Sequence, residues 1–247
     1  MDSTGYILKF TLVMTTLAAL MLAGMLYVTE PAALKAEAVF NKRAILSAVE
    51  KQLPKSLGEM SDEEVLSLFS AQVEQHVVNV QGEEVTTGEK AEKISLAQEK
   101  KKPEADRLLP VFIFKDSKEK IYFILSVRGS GLWDEIWGFV ALESDLNSIA
   151  GISFDHKAET PGLGAEIKDN PAFPAQFFGK KIYNDQGELV AVEVRKGGAV
   201  DPMHDVDAIS GATITGNGVT EMLQRGLGAY EPYIKKKQGE AKPIGMK

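Results

Sequence analysis

A loop of small and hydroxyl-bearing residues near the C-terminal end of the chain leads into a segment with helical spacing. The loop contains Asp207, Ser210, Gly211, Ala212 and Thr213 in the order D-A-I-S-G-A-T, and Thr215 follows two residues later. Backbone N–H groups at the start of a helix, together with the positive end of its dipole, favour a phosphate group. Gly211 and Ala212 would let the backbone approach such a ligand closely. The loop therefore predicts a phosphate site, and a plain helix start with a capping threonine is the alternative.

A second stretch, about fifty residues earlier, has the composition of a tight turn. Residues 156–164 read H-K-A-E-T-P-G-L-G. Pro161 and Gly162 are typical of a turn, and Leu163 is then expected at its exposed tip. An apolar side chain at such a tip could support a flat ring, although an ordinary turn would use the same residues.

Composition excludes several kinds of chemistry. The chain has no cysteine, which excludes disulfides, thiolate catalysis and cysteine-held iron–sulfur or zinc sites on this chain. The histidines, His76, His156 and His204, share no metal-ligand spacing, so no metal site is predicted. With 28 Lys and Arg against 35 Asp and Glu the net charge is −7, which argues against a general nucleic-acid binder. The length of 247 residues allows one or two folded domains.

The N-terminal part of the chain predicts a membrane anchor. Residues 10–28 carry no charge, and a helix of that length is about 28 Å long, close to the thickness of the hydrocarbon core. A cleaved signal peptide would have a shorter apolar stretch and a more basic leader than residues 1–9 provide. We therefore expect a short N-terminal tail over residues 1–9 and a retained transmembrane helix over 10–28. The positive charges beside this helix favour a cytoplasmic domain, but long domains cross membranes largely regardless of charge.

Residues 29–108 are predicted to form a helical neck followed by a charged loop. A helix is expected from Pro31 to Leu53. A capping box, S-D-E-E, begins at Ser61 and predicts a second helix. The apolar face of that helix is expected to contain Val65, Leu68, Phe69, Val73 and Val77. Between Gln81 and Arg107, 13 of 27 residues are charged, so a solvated loop is expected there.

The residue pattern of the segment 109–234 predicts a domain built on a β-sheet. Strands are predicted at Leu109–Phe114, Lys120–Val127, Trp137–Leu142, Ile149–Phe154 and Leu189–Val194. A short helix is expected after Asn170-Pro171, and a final helix from about Asn217 with Pro232 near its end. Residues 235–247 are a basic tail, expected to be disordered. The predicted fold class is α+β, with one N-terminal transmembrane helix, a helical neck and a mixed β-sheet domain with flanking helices.

The D-x-x-S-G-A-T pattern resembles the flavinylation motif of FMN-binding domains, in which the last threonine carries FMN through a phosphoester bond. The resemblance implies covalent FMN on Thr213, with Asp207 as the acid of the motif. It also implies a dedicated, magnesium-dependent flavin transferase that uses FAD as the donor. Thr215 is the competing acceptor.

The H-x-x-E-T-P-G-L-G segment resembles two related families: the C subunit of the sodium-translocating NADH:quinone reductase and the G subunit of the Rnf electron-transport complex. The stretch from Gly129 to Leu142, the single span and the length are similar to the first. This resemblance implies a component of a translocase that is not catalytic alone and relays electrons from an iron–sulfur centre to the FMN of the B subunit. Its implied partners are the A, B, D, E and F subunits.

The resemblance also implies a location and a set of binding residues. The protein would be a single-pass protein of the bacterial inner membrane with its flavin domain on the periplasmic side. The attachment loop would contain Ser210, Gly211, Ala212 and Thr215, with Lys196 of a K-G-G-A loop near the phosphate. The ring would be surrounded by Trp133, Glu159, Thr160, Leu163 and Gly164. The alternatives are the Rnf G subunit and a membrane-anchored assembly protein without flavin.

Overall fold

The computed structural model describes residues 4–241, so residues 1–3 of the expected N-terminal tail and 242–247 of the expected C-terminal tail lie outside the described residues. The chain divides into two compact units between Asn41 and Lys42. The first unit is formed by most of helix α1 (Thr4–Ser47), which is long and apolar enough to cross a membrane. The side chains of residues 10–28 are all exposed, as a lipid-facing helix requires.

Helix α1 differs from the predicted pair of helices. It continues through Pro31 without a break and ends at Ser47, six residues before the predicted end. Proline inside a helix removes one backbone hydrogen bond and crowds the carbonyl group four residues earlier, but α1 is helical on both sides of Pro31. The predicted transmembrane helix and the first helix of the predicted neck are therefore one element.

The second unit is built on a five-stranded antiparallel sheet with the strand order β1-β2-β3-β4-β5. The strands are β1 (Val73–Asn79), β2 (Leu108–Lys115), β3 (Ile121–Ser130), β4 (Glu135–Leu142) and β5 (Ile149–His156). Side chains alternate between its faces: Val111 of β2 lies in one apolar core, and Phe112 and Phe114 lie in the other. Four of these strands agree with the predicted ones to within three residues, and β1 was not predicted.

Strand β1 occupies residues that were predicted to be helical. Helix α2 (Asp62–Gln72) begins at the predicted capping box, in which Ser61 Oγ accepts from the Glu64 N–H and the Glu64 carboxylate accepts from the Ser61 N–H. The helix then ends at Gln72, and the next residues pair with β2. The β-branched Val73, Val77 and Val78 suit a strand better than a helix. The sheet therefore starts upstream of the predicted boundary at residue 109.

The charged segment between β1 and β2 is part of the folded unit, although it was expected to be a solvated loop. It contains the short helix α3 (Leu96–Glu99) and 3-10 turns at Ala91–Lys93 and Glu104–Asp106. Ala91 is buried, and the buried Glu99 carboxylate accepts from the Leu108 N–H and pairs with Lys102.

Helix α6 (Thr213–Ala241) covers one face of the sheet and is longer than predicted. It begins four residues before Asn217 and passes through Pro232, so the expected disordered tail is helical as far as Ala241. Tyr230, Tyr233 and Ile234 are buried in the core beneath it, which explains why the helix does not end at the proline.

The remaining elements are short. Helices α4 (Glu166–Asp169) and α5 (Ala172–Ala175) follow β5, and the rings of Phe173 and Phe177 pack against Phe154. Strands β6 (Glu193–Arg195) and β7 (Asp205–Asp207) form a separate parallel pair, so the predicted strand from Leu189 is shortened to its last two residues plus Arg195. The α+β fold class is confirmed, with an antiparallel main sheet and this small parallel ladder.

Candidate functional site

The hydroxyl-rich loop ends where α6 begins. Thr213 is the first residue of this helix and is exposed, as are Ser210 and Gly211, whereas Ala212 is buried. The first N–H groups of a helix have no acceptor within the helix, so they are available to an anion. Gly211 has a φ of 77°, in the left-handed region that glycine tolerates best. The S-G-A-T loop therefore presents a hydroxyl on the surface, at a helix start that is suited to an anion.

The two candidate acceptor threonines have different surroundings. Thr215 is 1% exposed, and its hydroxyl donates a hydrogen bond of 2.6 Å to Glu159 Oε2. Both threonines lie in the first turn of α6, and Ala212 precedes the helix, so neither threonine is the cap that the alternative interpretation required. Of the two hydroxyls, that of Thr213 is the one presented to solvent.

Glu159 connects helix α6 to the loop between β3 and β4. Its side chain is 5% exposed, and its other carboxylate oxygen, Oε1, accepts from the Trp133 N–H at 3.0 Å. A Cβ on Gly164 would overlap Oε2, and a Cβ on Gly131 would overlap Oε1. Both oxygens are thus bound by the protein, so Glu159 lies behind the site surface and does not present its carboxylate to a ligand.

The E-T-P-G-L-G turn and the S-G-A-T loop meet in space. Leu163 is 41% exposed and lies so close to Gly211 that a Cβ there would be 2.7 Å from Leu163 Cδ2. Trp133 is 67% exposed, and its ring nitrogen donates to Thr160 Oγ1 at 3.1 Å. Two separate chain segments therefore present apolar surface beside the S-G-A-T loop.

Strand topology explains why these segments converge. Ser130 at the end of β3 pairs with Glu135 at the start of β4, and Ile136 pairs with His156 at the end of β5. The loop that carries Trp133 and the turn that carries Leu163 therefore leave the sheet at the same end. Sequence reasoning did not single out Leu132 and Ile214, which are exposed and adjacent in the chain to Trp133 and Thr213.

Asp207 ties the K-G-G-A loop to the motif. Its Oδ1 accepts from the Ala199 N–H at 2.7 Å, and its own N–H donates to Gln176 Oε1 at 2.8 Å. Gly197 and Gly198 have φ values of 90° and 108°. Lys196, at the start of this loop, is exposed. The carboxylate of Asp207 therefore holds the backbone of the loop that carries Lys196 through a hydrogen bond.

Asp205 is a second anchor of that loop, and sequence analysis missed it. Its buried Oδ2 accepts from the Val200 and Asp201 N–H groups at 3.0 and 2.8 Å and lies 2.8 Å from Arg195 Nε. Burial alone would raise the pKa of this carboxyl, but the two N–H groups and the guanidinium together lower it. The D-V-D pattern of 205–207 was the available signal, since side chains two residues apart in a strand face the same side, which directs both carboxylates to the same loop.

One cavity lies elsewhere in the second unit. It has a volume of about 840 Å³ and is lined by Lys42 and by residues of α2, β1 and the segment from Glu84 to Glu92. None of the predicted site residues lines it.

Comparisons with known proteins identify relatives of the segment that holds these residues. The family model described as "FMN-binding domain" matches residues 131–228, a segment that contains Trp133, Glu159, Leu163 and Thr213. The C subunit of the Na(+)-translocating NADH-quinone reductase of Pseudomonas aeruginosa is 33% identical, and the match covers 92% of each chain. The same subunit of Vibrio vulnificus is 43% identical over 51% of this chain and 50% of the relative.

A solved structure of this subunit type is also similar. The crystal structure of the Na(+)-translocating NADH-quinone reductase C subunit from Parabacteroides distasonis has a TM-score of 0.70 and is 33% identical to this chain. The match covers 81% of this chain and 94% of that one.

The residues present at the site fit FMN. The exposed Thr213 hydroxyl stands at a helix start suited to a phosphate, and the exposed faces of Trp133 and Leu163 are suited to a flat ring. Between these two ends Gly211 has no side chain, and Leu163 packs directly over it.

Proposed function

Because the chain belongs to the family of the C subunit of the Na(+)-translocating NADH-quinone reductase, a component of a membrane complex, we propose that it carries FMN covalently on Thr213 and relays electrons. The bond would be a phosphoester between the threonine oxygen and the FMN phosphate. The bound flavin supplies electron acceptance and donation, and the chain supplies attachment, orientation and a defined environment. On this proposal the chain is an electron carrier and not a self-sufficient catalyst.

The observation that carries the proposal is the opposite accessibility of two neighbouring hydroxyls. Thr213 is exposed at the start of α6, whereas Thr215 is buried and bound to Glu159. A transferase could reach the first hydroxyl without unfolding the helix, but not the second. The phosphate joined to Thr213 would also lie at the positive end of the helix dipole.

The surrounding residues have assigned roles in the proposal. Trp133, Thr160 and Leu163 form the surface against which the ring lies, and Gly164 allows the turn to pack closely on Glu159 and Thr215. Lys196 provides a positive charge for the phosphate from the loop that Asp207 holds.

The proposed electron route and partners rest on the resemblance to this family. Electrons would arrive from an iron–sulfur centre held by neighbouring subunits and leave to the FMN of the B subunit, within an assembly that also contains the A, D, E and F subunits. A flavin transferase would attach the FMN during maturation. Helix α1 would anchor the chain once in the inner membrane, with the flavin domain on the periplasmic side.

Two variants test the attachment site. The full chain is co-expressed with a flavin transferase, separated on a denaturing gel and scanned for flavin fluorescence. We expect Thr213→Ala to abolish the fluorescent band and Thr215→Ala to retain it. Retained fluorescence in Thr213→Ala would refute the assignment, and a wild-type chain without any fluorescent band would favour an assembly protein without flavin.

Mass spectrometry provides the second readout. Trypsin releases the peptide from Gly197 to Arg225, which contains both threonines, so fragmentation within the peptide must distinguish them. We expect the FMN mass on Thr213.

A further inference from the structure

A buried carboxylate without a cation lies at the start of the attachment helix. Glu159 is 5% exposed, and within residues 4–241 no lysine, arginine or histidine forms an ion pair with it. Its partners are one hydroxyl, from Thr215, and one backbone N–H, from Trp133. Burying a carboxylate without a counter-charge is unfavourable, so a buried carboxylate needs other groups that stabilise it.

The compensation comes from the helix. The Glu159 carboxylate binds a residue of the first turn of α6, where the partial positive charge of the helix dipole is concentrated. Two hydrogen bonds to the carboxylate and this dipole together replace a cation. The pocket is also built for a carboxylate, because Gly131 and Gly164 leave the space that its oxygens occupy.

The carboxylate links three segments that surround the attachment site. Through Thr215 it holds the first turn of α6, which carries Thr213; through Trp133 N it holds the loop after β3. Glu159 itself belongs to the turn that carries Leu163, and its N–H donates to His156 Nδ1 at 3.2 Å. Glu159 is therefore one side chain that bonds both the helix turn carrying Thr213 and the loop carrying Trp133.

We propose that Glu159 is a positioning residue that fixes the FMN attachment helix against the Trp133 loop and disfavours reduction of the flavin. The inference rests on the proposed function. Reduction adds negative charge to the flavin, and a neighbouring buried carboxylate opposes that charge. The same carboxylate offsets the positive helix end, which would otherwise stabilise the reduced form.

The main test is Glu159→Gln in the full chain, co-expressed with a flavin transferase. Glutamine keeps the shape but removes the charge, and its single oxygen can accept from only one of the two donors. We expect covalent flavin to be retained, the flavin midpoint potential to rise, and hydrogen exchange of the Trp133 backbone N–H to become faster. The control is Glu166→Gln, which removes the same charge from the helix that follows the turn.

Equal midpoint potentials in Glu159→Gln and Glu166→Gln, together with unchanged exchange at Trp133, would overturn the inference. Hydrogen exchange of the Glu159→Gln variant is also measured in a chain that carries Thr213→Ala as well. Under the proposed function this double variant has no flavin. A fast Trp133 N–H there supports the positioning role even if the flavin is attached elsewhere, so the two failures are distinguishable.

A second pair of variants covers the case in which Glu159→Gln does not fold. Thr215→Val removes the hydroxyl at nearly constant volume, and Thr215→Ser keeps it. We expect the valine variant to shift the midpoint potential and the serine variant to match wild type. If the two variants have the same potential, the link between Glu159 and α6 does not set it, and the inference fails.

Discussion

Two hydroxyls separated by a single residue have opposite surroundings because of helix geometry. Residues i and i+2 of an α-helix are about 200° apart around its axis, since each residue turns it by about 100°. Once Thr215 faces the core and Glu159, Thr213 must face solvent. The chemistry of the motif therefore depends on the residue at which the helix starts, and a start at Asn217 would have left both threonines in a loop.

The exposed side chain of Leu163 is proposed to contact the flavin ring, and a substitution at this position tests that contact. We expect Leu163→Ala to retain covalent flavin, because the phosphate end is held at Thr213. Loss of the apolar side chain lets water reach the ring and stabilises its charged reduced forms. The midpoint potential should rise on the order of 30 mV, equivalent to about 1.4 kcal/mol for a two-electron couple. Redox titration and the visible spectrum measure the change.

The control is Val190→Ala, which removes an apolar side chain of similar exposure, 39%, from a position outside the site. It should leave the spectrum and the potential unchanged. If Leu163→Ala matches wild type in the spectrum, the potential and the rate of flavin reduction, then Leu163 is only a turn residue.

Asp205 makes the stability of the loop from Lys196 to Asp201 depend on pH. Its pKa in the folded protein is lowered, so it lies below the value of about 3.9 in the unfolded chain. The carboxylate therefore stabilises the fold above about pH 4, and that contribution is lost as the pH falls through the folded-state pKa. We expect Asp205→Asn to lose about 2 kcal/mol of unfolding free energy at pH 7 and to show a weaker acid dependence.

Urea unfolding of both proteins between pH 7 and pH 3 measures this difference. Asp185→Asn, in an exposed turn, is the control and should behave like wild type. An Asp205→Asn variant with the full acid dependence of wild type would contradict the prediction.

The position of α6 is set by close contacts of its glycines with β3. A Cβ on Gly218 would overlap the Ser130 carbonyl oxygen, and a Cβ on Gly226 would lie 2.7 Å from Val127 Cγ1. In the opposite direction, a Cβ on Gly129 of β3 would lie 2.7 Å from Met222 Cβ. The helix backbone thus approaches the strand directly, which places the first turn of α6 beside the end of β3.

Gly218→Ala should separate α6 from β3. The added methyl group meets backbone, which cannot rotate away, so we expect a loss of about 1–3 kcal/mol in unfolding free energy and less covalent flavin per chain. Gly239→Ala is the matched control in the same helix, because nothing lies within 4 Å of its Cβ position. It should be neutral or stabilising by up to about 1 kcal/mol. Equal stability of the two variants in urea unfolding would show that the close contact is unimportant.

The elements that sequence could predict are those with strong local signals. Alternating apolar residues between Leu108 and His156 identified four strands, and the capping box located the start of α2. Strand β1 was missed because its valines continue a helical spacing, and only pairing with β2 selects the strand. The extension of α6 beyond Pro232 depends on burial of Tyr233 and Ile234 in the core, which no local signal contains.

In the candidate site, too, local sequence signals predicted some features, and the others depend on packing. The S-G-A-T and E-T-P-G-L-G motifs and the stretch from Gly129 to Leu142 identified its residues, since Thr213, Leu163 and Trp133 all lie at one end of the sheet. Their roles depended on burial: Glu159, expected to line the ring, is turned inward to Thr215. Burial results from packing across residues far apart in the chain, so spacing alone could not assign it.

At the scale of the whole molecule, helix α1 is the element that could cross a membrane. Residues 10–28 of α1 are uncharged and exposed, and the helix meets the length and composition required to cross a membrane. The flanking charges favour a cytoplasmic domain, whereas the resemblance to the family implies a periplasmic one. Because the unit that begins at Lys42 is large, the charge rule has little weight for it.

We expect the residues after Val28 to lie on the periplasmic side, attached to an uncleaved anchor. Protease added to sealed spheroplasts should digest the flavin domain while a cytoplasmic marker protein stays intact, because a folded domain outside the membrane is accessible without lysis. Protection of the domain in sealed spheroplasts, with digestion only after lysis, would establish the opposite orientation. The anchor is tested on the same material by N-terminal sequencing. A mature chain that starts at residue 1 or 2 retains the apolar segment, whereas a start beyond residue 20 would identify it as a cleaved signal peptide and leave the domain without its own attachment to the membrane.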